Sequence, residues 1–159
     1  MPFSEVHANH AINFIQQLKL TKGRWAGQPF ILLPWERDLV SKLFGTLRED
    51  GTRQYRTAYL EIGKKNGKSE LGAAIALYML LADGEPNAEV YVAACDRQQA
   101  SIIFNTSVNF VEGNPTLSKV TNLVRSTKRI VYPRTGSFYQ VLSSDVKSKS
   151  GLNASCVIL

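Results

Sequence analysis

Apolar residues along this chain recur with two different periods, and the switch between them separates helices from strands. Residues 4–20 predict a first helix. Ser4 supplies a capping hydroxyl, and Val6, Phe14, Ile15 and Leu18 mark a partial apolar face. Residues 21–29 are punctuated by Gly and Pro and form a loop. A second helix is expected over 34–45, with Pro34 at its first position and Gly45 just past its end. Glu49-Asp50-Gly51 is a turn, and residues 56–62 form the first strand. A strongly apolar helix follows over 68–82, stopped by Asp83-Gly84-Glu85-Pro86-Asn87. Residues 89–94 make a buried strand, and Asp96 caps a helix over 97–112 that Asn114-Pro115 breaks. Residues 129–142 predict a hairpin about Pro133-Arg134-Thr135-Gly136. A Ser- and Lys-rich loop spans 143–151, and 154–159 is a last apolar strand. Strands alternating with helices imply an α/β fold with a mainly parallel sheet covered on both faces, which binds ligands at the carboxyl ends of its strands.

Composition narrows the class. A chain of 159 residues, 44% hydrophobic and 20% charged, has the make-up of one globular domain with a real core. Its longest apolar run, residues 71–82, is too short to span a bilayer, so no membrane partner is expected. The first ten residues lack the basic and apolar regions of a secretory signal. Cys95 and Cys156 sit in apolar strand-like runs and read as buried thiols in a reducing compartment. His7 and His10 share a helix face without a third metal ligand and read as solvated. The net charge of +6 is concentrated: residues 113–159 hold seven Lys/Arg and one acid, Asp145. Such clustering suits a polyanion, DNA or RNA first, or simply a basic surface.

The chemistry-bearing feature is the order strand, basic turn, helix about Gly63-Lys64-Lys65-Asn66-Gly67-Lys68-Ser69. Read as a phosphate-binding loop, Gly67 lets the backbone approach a phosphate. Amides opening the helix and its dipole then favour the anion. Lys68 reaches the β- and γ-phosphates of ATP, and the Ser69 hydroxyl ligates Mg2+. The usual spacing would put the first glycine at position 62; here that residue is Ile62 and the glycine is Gly63. The fold class expected is therefore a P-loop NTPase of the RecA/ASCE-like type. In that fold a second apolar strand is followed by an acid that holds Mg2+ and a Glu that polarises water. The strand 154–159 is apolar and no acid follows it, which predicts a sheet incomplete at its C-terminus and a fragment hydrolysing ATP poorly.

Three stretches, 22–36, 62–70 and 147–159, together resemble the N-terminal ATPase domain of the large terminase subunit of tailed bacteriophages, the motor that packages DNA into procapsids. The resemblance runs over essentially the whole chain, and its loop has the Lys-Asn-Gly-Lys-Ser form at 65–69. It implies a helical lead-in at 1–50 with the adenine-pocket segment, a P-loop core at 55–159, and no nuclease domain within the chain. Trp35 would line the adenine pocket with Pro34; Glu36 stands where relatives commonly carry Gln, and a carboxylate accepts but cannot donate as an amide does. Lys64 falls where the family often has an Arg acting on the γ-phosphate, keeping the charge and losing the planar fork. Lys68 with Lys64 would be catalytic. Gly63, Lys65, Asn66, Gly67, Ser69 and Glu70 would complete the nucleotide site. Asp96-Arg97-Gln98-Gln99 would either couple nucleotide to DNA or cap a helix. Implied partners are double-stranded DNA, the small terminase subunit and the portal protein, in the bacterial host cytoplasm, with homo-oligomers possible through the free edge of the last strand. Two other functions fit the residues: another P-loop nucleic-acid motor, helicase-like, or a non-hydrolysing prophage remnant that binds DNA.

Overall fold

A computed structural model describes residues 2–64, 67–94, 97–142 and 151–159, the side chain of Arg97 excepted. Helix α1, Glu5–Gln17, opens with Ser4 Oγ accepting the His7 N–H, as its sequence predicts. Its buried face is Ala8, Ala11, Ile12 and Ile15, while Val6 is 78% exposed. Of the expected apolar face, Ile15 and Leu18 are buried and Phe14 packs against the core, and Val6 alone departs from it. Helix α2, Pro34–Gly45, starts on its proline and packs on α1. Gly45 is the last helical residue rather than the one beyond it. A Cβ there would meet Phe3 Cε2 at 2.6 Å and Ala8 Cβ at 2.9 Å, so the bare glycine allows the two segments to touch.

The long apolar run forms α3, Lys68–Leu81, buried on almost every side. Tyr78 joins it to the lead-in helices: its ring lies edge-on to Phe44, His10 and Phe14 at centroid distances of 4.8, 5.6 and 5.7 Å. Its hydroxyl is 3.0 Å from His10 Nδ1, so the exposed His10 is also anchored to Tyr78. Arg53 adds a two-pronged ion pair to Asp83, just past the helix, at 2.5 and 3.2 Å.

Five described strands form one sheet: β1 Glu89–Val92, β2 Asn122–Val124, β3 Arg129–Tyr132, β4 Ser137–Val141 and β5 Cys156–Ile158, ordered β2-β3-β4-β1-β5. The centre is parallel, with β1 between β4 and β5; β2, β3 and β4 form an antiparallel ribbon to one side. The expected hairpin is β3–β4, joined by the short 3-10 turn Pro133–Thr135. Helix α4, Arg97–Glu112, lies beside α3 on one face of the sheet. Ser107 Oγ marks where the three layers meet, 3.1 Å from Tyr139 OH on β4 and 3.3 Å from Ala73 O on α3. Val90, Val92, Ile130 and Tyr139 are completely buried beneath them. The opposite face carries Glu89, Arg129, Phe138 and Val157, the last 45% exposed, while α3 and α4 pack on the face of Val90 and Tyr139. Helix α5, Pro115–Val120, and β2 were not expected. Both begin beyond the Asn114-Pro115 break, where Asn114 accepts the Thr116 and Leu117 N–H groups and so starts a new helix.

The expected strand over 56–62 is not in the sheet. Among the described residues the segment pairs with no strand, residues 56–59 are exposed, and Leu60 packs against the core. Alternation of Ala58, Leu60 and Ile62 is therefore not matched by burial, since Ala58 is exposed. Ladder hydrogen bonds depend on a neighbour, and β5, three residues long, pairs with β1 instead.

Candidate phosphate-binding site

Gly67 is the N-cap of α3 and adopts φ 79° and ψ 16°, the left-handed region open to glycine without penalty. The turn it makes leads from loop 63–67 into the helix, whose first turn contains Lys68, Ser69 and Glu70. Residues Lys65 and Asn66, expected within this loop, lie outside the described residues, as do Asp96, Cys95 and the 143–150 segment with Lys147 and Lys149.

Two contacts orient the helix start. Gly72, in the second turn of α3, sits beside β5: a Cβ on it would be 3.4 Å from Ile158 Cγ2. The amino end of α3 therefore meets the carboxyl end of β5, a parallel strand at the edge of the described sheet, and the carboxyl ends of parallel strands are where open α/β sheets bind ligands. The Lys68 ammonium bends back to donate to Ile62 O at 3.1 Å, across the mouth of the loop. Gly63, Lys64 and Lys68 are exposed, and Ser69 and Glu70 are half-buried. This places free amides, a helix dipole and two cations together at a solvent-accessible turn.

Glu36 approaches the same turn from another direction. It is 3% exposed, its Oε2 accepts the Leu33 N–H at 2.8 Å, and its Oε1 is 3.4 Å from where a Cβ would stand on Gly67. Burial pushes its carboxyl above the usual range, the Leu33 N–H pulls it back, and the neighbouring Glu70 charge adds to the rise. Trp35 is half-buried against the core, so part of its ring is structural. The sequence singled out both residues as base-side candidates, yet nothing in it signalled that Glu36 reaches the loop. The two positions are far apart in the chain and meet only through the packing of α2.

Much of the basic C-terminal charge is engaged locally. Arg125 pairs with Glu112, Lys128 donates to Ser101 Oγ at 2.5 Å, and the Arg129 guanidinium lies 4.0 Å above the Phe138 ring. Lys119 and Arg134 point from exposed positions. Cys156 is a free, half-buried thiol, raised to about 11 by burial. Among the described residues no group of His, Cys, Asp and Glu is set to hold a metal, and no helix is long and apolar enough to cross a membrane. Two open cavities of about 510 Å³ lie elsewhere. One is beside Arg48 and Asp50, the other between α1 and α2, and neither is lined by loop residues.

Residues 34–159 match the family model of the terminase large subunit ATPase domain. The chain is 31% identical over 150 residues to the large terminase subunit of Enterobacteria phage HK97, covering 93% of this chain and 29% of that protein. It also superposes on the crystal structure of the HK97 bacteriophage large terminase with a TM-score of 0.76 and 28% identity, over 92% of this chain and 29% of the other. The chain thus spans under a third of the length of these relatives. Their shared likeness extends beyond the loop to the lead-in helices and the sheet, and the chain belongs to the terminase large subunit ATPase family.

Proposed function

We propose that the chain is the ATP-binding part of a phage DNA-packaging motor, coupling ATP hydrolysis to translocation of double-stranded DNA. The observation that carries this reading is the junction of α3 with β5: Gly67 in left-handed conformation opens the helix beside the carboxyl end of this parallel strand. In this reading Lys68 leaves Ile62 O to reach the β- and γ-phosphates, and Ser69 holds Mg2+, whose charge supports the transferring phosphoryl group. The half-buried Ser69 hydroxyl is of the right chemistry for that ion, a hard oxygen donor beside the loop. Lys64 stands exposed on the loop and supplies a second cation to the γ-phosphate. Gly63, Lys65, Asn66, Gly67 and Glu70 complete the phosphate side, and Trp35 with Glu36 the base side.

Double-stranded DNA is the polyanion we assign to the basic segment, with Lys119 and Arg134 as its exposed described cations. The small terminase subunit and the portal protein are proposed as protein partners, and the bacterial host cytoplasm as the place of action. The test is Lys68→Ala. MgATP binding by the chain should fall at least about tenfold, the loss of one charge-assisted phosphate contact, and turnover by the full-length motor should cease. Undiminished binding and hydrolysis would overturn the assignment.

A further inference from the structure

Glu36 is an unusual group to bury beside a phosphate loop. Its carboxylate is 3% exposed, makes no ion pair among the described residues, and turns its oxygens toward two segments. Oε2 accepts the Leu33 N–H at the start of α2, and Oε1 stands 3.4 Å from where a Cβ on Gly67 would be, beside the start of α3. The other charges around it are Glu70, of the same sign and in the first turn of α3, and the Lys68 ammonium, which is turned toward Ile62 O. Helix α1, also packed on α2, brings Glu5, His7 and His10; His7 is bonded to Ser4 and His10 to Tyr78.

From this arrangement we infer that Glu36 is a positioning residue that ties the start of α2 to Gly67 and grades nucleotide affinity by phosphate charge, opposing the more highly charged ligand. The inference rests on the nucleotide-binding reading above and goes beyond base recognition. A negative charge held at the closing glycine acts on the phosphates by Coulomb's law, with little screening because it is buried. It also competes with the phosphates for the field of the α3 amino end and of Lys68. A base contact would behave differently, affecting nucleotide and nucleoside alike.

Glu36→Gln separates the two. The amide retains an oxygen for the Leu33 N–H and nearly the same shape, removes the charge, and puts an NH2 donor in place of the other oxygen, so the adenosine arm reports any new contact to the base. Calorimetric binding of MgATP, MgADP and adenosine to the full chain is measured at pH 8 for both proteins. The expected result is a graded tightening: on the order of fivefold for MgATP, the size of one screened unit charge, less for MgADP, and no change for adenosine. Equal changes for all three ligands would mean that Glu36 reads the base, and no change for any would mean a purely structural role; either overturns the proposal. Should Glu36→Gln fail to fold, Glu36→Asp withdraws the charge from Gly67 by one methylene and is expected to give the same order with smaller steps; a flat response there overturns it equally. Absence of nucleotide binding by the wild-type chain would instead remove the reading on which the inference stands, and the inference with it.

Discussion

Gly67→Ala tests the loop at its most constrained point. The left-handed conformation at φ 79° costs an L-residue about 1–2 kcal/mol. The added Cβ would lie 3.4 Å from Glu36 Oε1, an ordinary contact that needs no movement of backbone. The ligand-free chain should therefore lose only the conformational term, about 1–2 kcal/mol, or a melting temperature lower by roughly 3–6 °C for a domain of this size. Binding should suffer more, because relaxing the strain rotates the amides that open α3 away from the phosphate position; a loss of about tenfold or more in MgATP affinity is expected for a displaced charge-assisted contact. Gly27→Ala is the matched control. Gly27 has φ 83° and nothing within 4 Å of a built Cβ, so it carries the same backbone cost with no link to the loop. Differential scanning fluorimetry with and without MgATP reads both effects. Similar melting losses for the two variants, with the ligand-induced rise missing only in Gly67→Ala, is the expected pattern. A Gly67→Ala protein that melts and binds as wild type would refute the argument.

Three further outcomes follow from the packing and the titrating groups. Asn114→Ala removes the side chain that caps α5 and should cost about 1 kcal/mol in chemical denaturation, without moving nucleotide affinity. Burial raises Cys156 to about 11 and Tyr78 to about 12, and burial with the Glu89 hydrogen bond raises Tyr91 to about 12. In the unfolded chain these groups ionise near pH 8.5 and 10, so between roughly pH 9 and 12 the folded state holds more protons and stability falls as pH rises. Alkaline melting curves check this, and a flat Tm over that window would contradict the burial of the three groups. The raised Glu36 carboxyl has the same sign at acid pH: its cost is absent below the unfolded value near 4.3 and grows as pH rises through its folded value. Glu36→Gln should accordingly melt higher than wild type at pH 8 and lose that advantage at pH 4; a variant that melts lower at pH 8 would show the charge to be stabilising.

What the sequence determined by itself was local. The capping hydroxyl of Ser4, the proline that starts α2, the unbroken apolar run of α3 and the turn residues of the β3–β4 hairpin act through neighbours in the chain, and each element formed where its residues predict. The turn into α3 at Gly67 was legible for the same reason, since backbone conformation there is decided within a few residues. Tertiary structure decided what depends on partners distant in sequence. Residues 56–62 alternate like a strand but pair with nothing described, because a ladder needs a neighbouring edge. Val6 lies on the solvent side because α1 packs on α2 through the stripe Ala8, Ala11, Ile12 and Ile15. The meeting of Glu36 with Gly67 is of the same kind. Periodicity along α2 cannot report a contact with the end of a loop some thirty residues on, and only the close packing of α2 against the core brings that carboxylate to the opening of α3.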